Sequence, residues 1–176
     1  PVEGYLEALR KRCDEVGAML IFDEIQTAFG RAGKMCGFER TGVVPDIICL
    51  AKAFGGGMPL GGFVSSKKIM DSLTENPVLG HISTFGGHPV CCAAGLAALT
   101  YLTDNNLVDR AAHIGRRYEE LLTGHPAVQE IRRAGALQAV ELGSPDKMYA
   151  AMAALTAHGL LSDWVLVCHT ALRLSP

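Results

Sequence analysis

Apolar and polar positions along the chain change period repeatedly, and the changes lay out a mixed α/β fold. From the amino end, Tyr5, Leu9, Cys13 and Val16 recur at helical spacing, with Arg10, Lys11, Arg12, Asp14 and Glu15 on the other side. Gly17 is placed to end that helix, because only glycine takes the left-handed conformation without steric cost. A buried strand is predicted over residues 18–22, and helix followed by strand is half of a βαβ unit. After Gln26, the run from Thr27 to Gly33 is punctuated by glycine and reads as a loop. The turn Thr41 to Asp46 introduces a second strand, Ile47 to Leu50, followed by Lys52 and the glycine-rich run Gly55 to Gly62.

Farther along, Phe63-Val64 reads as a short strand and Lys67 to Leu73 as a short helix. The polar, glycine-rich run His81 to Pro89 reads as a surface or site loop. Pro89 suits the first turn of a helix over Val90 to Leu102, so poor in charge that burial on most sides is predicted. Thr103 to Asn106 should cap the next helix, whose Leu107, Ala111, Ile114, Tyr118 and Leu121 share a face. Residues 137–142 read as a strand, 146–158 as a helix, and 165–169 and 171–174 as short strands. A domain change near residue 104 is expected.

Composition narrows the function classes. With 49% apolar and 19% charged residues the chain can build a core, and its net charge of -2 offers no field for a polyanion, so nucleic acid is not an expected partner. Six cysteines at irregular spacing, with no C-x-x-C, point to reduced thiols and a cytoplasmic protein. No apolar run approaches the ~18 residues of a membrane span. The chain opens at Pro1 and stops at Pro176 in mid-pattern, which suggests a piece of a longer protein.

Two strands end in an ionisable residue: Asp23 after the first, Lys52 after the second. In open α/β sheets ligands sit beyond the carboxyl ends of the strands, which makes both candidate site residues. Taken singly, an Asp after a strand is more often a turn or cap residue, a lone Lys is usually solvated, and a glycine run is usually a turn. The run Gly55 to Gly62 fits neither a Walker loop nor G-x-G-x-x-G. His88 with Cys91 and Cys92 lacks a fourth ligand of suitable spacing, so packing is the better reading and no metal is expected. Taken together, an amine and a carboxylate at neighbouring strand ends are the two protein groups that pyridoxal phosphate needs: a Schiff-base lysine and a partner for the ring nitrogen.

The segments Phe22-Asp-Glu-Ile-Gln-Thr27, Phe29-Gly-Arg-Ala-Gly-Lys34, Pro45-Asp-Ile47, Leu50-Ala-Lys52 and Ser83-Thr-Phe-Gly-Gly87 resemble the class III pyridoxal-phosphate aminotransferases, the ornithine, acetylornithine and 4-aminobutyrate type. The resemblance is dense from about Gly17 to Ala98 and looser beyond. It implies a fold-type-I α/β architecture, with residues 1–104 as the carboxyl-terminal part of the cofactor-binding large domain and 105–176 as a truncated small α+β domain. It also implies that Lys52 carries pyridoxal 5'-phosphate as an internal aldimine, that Asp23 binds the pyridine nitrogen and that Gln26 lies by the phenolic oxygen. Thr84 would reach the cofactor phosphate of the other subunit in a homodimer, and Arg173, in Leu172-Arg-Leu-Ser-Pro176, would engage a substrate carboxylate or else lie on the surface. Ala28, Ala53 and His88 stand where many members have Gly, Gly and Asn. The implied reaction moves an amino group from an amino acid or ω-amine donor to a 2-oxo acid. A dialkylglycine-type decarboxylating transaminase is the alternative within the scaffold, and a non-catalytic fragment the alternative outside it. The family's amino-terminal half would precede Pro1, so these residues by themselves are expected to bind cofactor poorly and to be inactive.

Overall fold

Gly17 takes φ 71°, and its N–H bonds to the Cys13 carbonyl, closing helix α1 (Tyr5–Val16) as its sequence predicts. In the computed structural model, which describes residues 1–76 and 80–176, the chain forms two compact units. One comprises Pro1–Phe29 and Cys36–Asn105, the other Gly30–Met35 and Asn106–Pro176.

The first unit is organised on strands β1 (Ile21–Asp23), β2 (Ile47–Leu50) and β3 (Gly62–Ser65), in that order. β1 and β2 are parallel, with Ile21 opposite Ile47 and Asp23 opposite Cys49, and the ladder continues one residue further as Glu24 N–H donates to Cys49 O at 3.0 Å. β3 returns antiparallel to β2. The entrance to this sheet is tied by Asp46. Its Oδ2 accepts the Leu20 N–H at 2.7 Å and Arg10 Nη1 at 2.8 Å, while its own N–H donates to Leu20 O at 2.8 Å. One carboxylate thus joins α1 to the starts of β1 and β2. These two short bonds hold the Asp46 carboxyl below the usual carboxylate range, the Leu20 N–H first and the Arg10 guanidinium second.

Two helices complete the unit, α2 (Lys67–Asp71) and α3 (Pro89–Asp104), the first capped by Ser66, whose Oγ accepts the Ile69 N–H. α3 begins at Pro89 as predicted but is not buried on most sides: only Cys91 and Gly95 are, while Leu96 and Tyr101 are 66% and 65% exposed. Its covered stripe is one of small residues packed on the turn that follows β2. A Cβ added at Gly95 would lie 2.5 Å from Phe54 O, and one added at Gly56 would lie 2.6 Å from Ala94 O. Apolar composition predicts cover on most sides, whereas within its unit the helix packs against that turn along a single stripe.

The second unit carries helices α4 (Leu107–Leu122) and α5 (Pro145–Ala157) and strands β4 (Glu130–Ala134), β5 (Leu137–Glu141), β6 (Asp163–Val165) and β7 (Cys168–Leu174). The sheet is antiparallel throughout, in the order β4-β5-β7-β6. Val140, Leu142, Met148 and Leu172 form its core, with Leu155 and Trp164 packed against them. Burying these four side chains contributes on the order of 1.5–3 kcal/mol each. Residues 30–35 belong to this unit because Arg31 O accepts the N–H groups of Ala136 and Leu137, at 3.0 and 3.3 Å. Gly33 and Gly135, both at positive φ, allow the two backbones to meet: a Cβ on Gly33 would lie 3.0 Å from Gly135 Cα. The strand β4, with Glu130, Arg132 and Arg133 among its five residues, has no apolar alternation by which to recognise it.

Candidate active site

Parallel strands deliver their last residues to one edge of a sheet, and here that edge carries both predicted groups. Asp23 is the final residue of β1, and Lys52 follows Leu50, the final residue of the adjacent β2, by two positions. Both are exposed. Asp23 Oδ1 accepts the Ile25 N–H at 3.0 Å, so the residue also shapes the turn after its strand, leaving Oδ2 open for a further donor among the described residues. Lys52 opens a 3-10 turn, Lys52–Gly55, with φ 51°, a left-handed backbone for a residue that carries a Cβ. Such a conformation costs on the order of 1–2 kcal/mol and persists only where surrounding structure holds it. The seat on α3 supplies that hold.

Gln26 is exposed in the turn after β1. Phe29, also at positive φ (57°), ends this stretch and stacks on Phe54 of the Lys52 turn, with ring centroids 5.6 Å apart and planes 14° apart. An aromatic pair of this kind contributes about 0.5–1.5 kcal/mol beyond its buried area, and here it clips the turn after β1 to the turn after β2. Neither the strained φ values nor the ring pair has a sequence signal. Thr84 lies in an exposed turn of the same unit, in which Gly86 N–H donates to Ser83 O at 3.3 Å. Arg173 belongs to the second unit, on β7, where its guanidinium meets Asp163.

A residue that the sequence reading passed over is Glu24, directly after Asp23 and 3% exposed. Its carboxylate accepts the Gly37 N–H at 2.9 Å, the Phe38 N–H at 2.7 Å and the Thr27 hydroxyl, which is why a charged group tolerates burial here. The sequence offers no signal for it, since Glu24 stands in the mostly polar run Asp23-Glu24-Ile25-Gln26-Thr27 beside a second acid. Glu24 fixes the chain at residues 36–38, next to the Cys36 thiol, whose pKa is raised by burial first and then by the charges of Glu24 and Glu39. Among the described residues no group of three His, Cys, Asp or Glu side chains could hold a metal ion.

The donor set suits pyridoxal phosphate. An amine able to condense with an aldehyde and a carboxylate able to pair with a ring N–H leave neighbouring parallel strands, whose axes are about 4.8 Å apart, at the same edge. Glycines at 55, 56 and 57 leave the backbone at the end of the Lys52 turn free of side chains.

Comparison with known proteins bears on this arrangement. The family Aminotransferase class-III matches residues 1–176. A putrescine aminotransferase of Pectobacterium atrosepticum is 43% identical over 182 residues, covering all of this chain and 39% of that protein. The ornithine aminotransferase of Toxoplasma gondii, in a structure showing partial occupancy of PLP at its active site, superposes with a TM-score of 0.88 at 33% identity, over 100% of this chain and 42% of that one. An acetylornithine aminotransferase of Elizabethkingia anophelis gives 0.86 at 34% identity, over 100% of this chain and 47% of that one. The chain thus spans less than half the length of these relatives. Match along every residue, with a shared mixed helix-and-sheet fold of the fold-type-I kind, establishes that the chain belongs to the class III aminotransferases.

Proposed function

We propose that the whole protein is a pyridoxal-phosphate-dependent transaminase that moves an amino group from a terminal-amine or amino-acid donor to a 2-oxo acid. The observation that carries the reading is the register of β1 and β2, which sets Asp23 and Lys52 at one strand edge. Relatives named for putrescine, ornithine and acetylornithine support donors with an amine at the end of an aliphatic chain. When bound, the cofactor supplies an electron-withdrawing ring that accepts the electron pair released at the substrate carbon.

The chain's own residues have distinct tasks in this reading. Lys52 Nζ would hold the cofactor and, as a free amine, would take the proton from the carbon bearing the substrate nitrogen and later return it. Asp23 would pair with the ring nitrogen and hold its proton there. Gln26 would lie by the phenolic oxygen, and Arg173 would pair with a substrate carboxylate through parallel N–H groups. Thr84, exposed in its turn, donates to the phosphate held by a second copy, which makes the protein a homodimer; sedimentation of the intact protein tests that. Division into large-domain residues 1–104 and small-domain residues 105–176 follows the same family reading. Six free cysteines support a reducing, cytoplasmic setting, and among the described residues no helix is long and apolar enough to cross a membrane.

In the intact holoenzyme, Lys52→Ala should abolish both the cofactor absorbance bound to the protein and turnover. Transamination at the parental rate in that variant refutes the assignment.

A further inference from the structure

β6 and β7 are antiparallel with Asp163 opposite Arg173, which puts an acid and a base on one face of the second unit's sheet. Arg173 Nη2 donates to Asp163 Oδ2 at 2.7 Å. The other carboxylate oxygen, Oδ1, accepts the Trp164 N–H at 2.9 Å, and Ser162 Oγ donates to Arg173 O at 2.7 Å. Asp163 is therefore anchored to its own backbone, and it orients the longer, more flexible arginine rather than being oriented by it. Both residues line a cavity of about 820 Å³ whose walls include Leu142, Leu155, Leu172 and Leu174.

A guanidinium has five N–H donors, and a carboxylate binds it through two of them in parallel. Asp163 engages one nitrogen, and among the described residues no second acceptor meets the group. We propose that Asp163 is the positioning residue for Arg173, fixing one edge of the guanidinium so that the remaining donors face a substrate carboxylate. The inference rests on the carboxylate-binding role given to Arg173 above. Its physical content is entropic: an arginine already confined to one rotamer loses less freedom when a ligand binds. Arg173 and Asp163 side chains are 27% and 46% exposed, and a pair that open to solvent contributes little to folding. Its removal should therefore be read in substrate preference more than in stability.

The test uses the intact holoenzyme with two acceptors of equal chain length, a 2-oxo acid and an aldehyde without a carboxylate. The readout is the ratio of their kcat/KM values. D163A should lower that ratio about fivefold or more, through a higher KM for the 2-oxo acid, since 1 kcal/mol of lost preorganisation is about fivefold in affinity. D163E, which restores a carboxylate, should recover part of the loss. A ratio that is unchanged in D163A, or that rises because the arginine is freed from a competing anion, overturns the proposal. A purely structural role would lower both kcat/KM values together and leave the ratio alone, and that outcome overturns it too. R173A separates the two levels. If it leaves the ratio unchanged, the carboxylate reading of Arg173 fails and the inference falls with it; if it collapses the ratio while D163A does not, only the role of Asp163 is refuted.

Discussion

Replacing Gly95 with alanine sets two known effects against each other at the seat of the Lys52 turn. In the middle of a helix, Gly→Ala is ordinarily stabilising by about 0.5–1 kcal/mol, because the unfolded chain loses conformational freedom. At this position the new Cβ would stand 2.5 Å from the Phe54 carbonyl oxygen and 2.8 Å from Leu60 Cδ2. The leucine methyl can rotate away. The carbonyl belongs to the backbone of the Lys52–Gly55 turn and can retreat only if the turn lifts from α3. Overpacking of this kind costs about 1–3 kcal/mol, so a net loss of about 1–2 kcal/mol is expected, equivalent to a fall of roughly 2–8 °C in Tm for a chain this size. Urea denaturation followed by circular dichroism measures the first quantity, and a thermal melt the second. Cofactor affinity should weaken in parallel, because the strained φ of Lys52 depends on the same seat. A G95A protein as stable as its parent, or more stable, would show that α3 does not bear on the turn.

Other predictions address the two units separately. The Glu141 carboxyl is held at about 2, by the Thr170 hydroxyl first and then by the Gly143 N–H, Arg132 and Cys168. A folded pKa below the unfolded one gives stability that is complete above about pH 4.5 and is lost as pH falls toward 2. Solvent screening reduces the effect to about 1–2 kcal/mol, and E141Q should flatten the fall in urea stability between pH 5 and 2. Asp46→Ala strips the Leu20 N–H and Arg10 of their shared acceptor and should cost about 1–3 kcal/mol by the same denaturation assay.

What the sequence disclosed depended on whether a feature is local. The helix ends at Gly17 and Pro89 could be read because capping and first-turn geometry are properties of a few adjacent residues. The strand ending at Asp23 and the strand before Lys52 were legible as short apolar runs stopped by a charge. Their parallel pairing is a nonlocal fact, and so is the attachment of residues 30–35 to the second unit through Arg31 O and the paired glycines 33 and 135. β4 was missed because Glu130, Arg132 and Arg133 give a strand without an apolar face to announce it. α3 was misjudged because composition records how much cover a helix can use, not how much its unit provides. Glu24 was hidden by its better-known neighbour: nothing in the order Asp23-Glu24 says which acid turns inward to collect three donors.

The left-handed backbone at Lys52 has a practical consequence for anyone improving this protein. Selection for heat resistance alone, with no demand for turnover, would find glycine at this position attractive, since it relieves the contour that lysine resists. The most robust variants from such a screen would be the ones that had discarded the amine, so a stability campaign here needs a catalytic readout at every round.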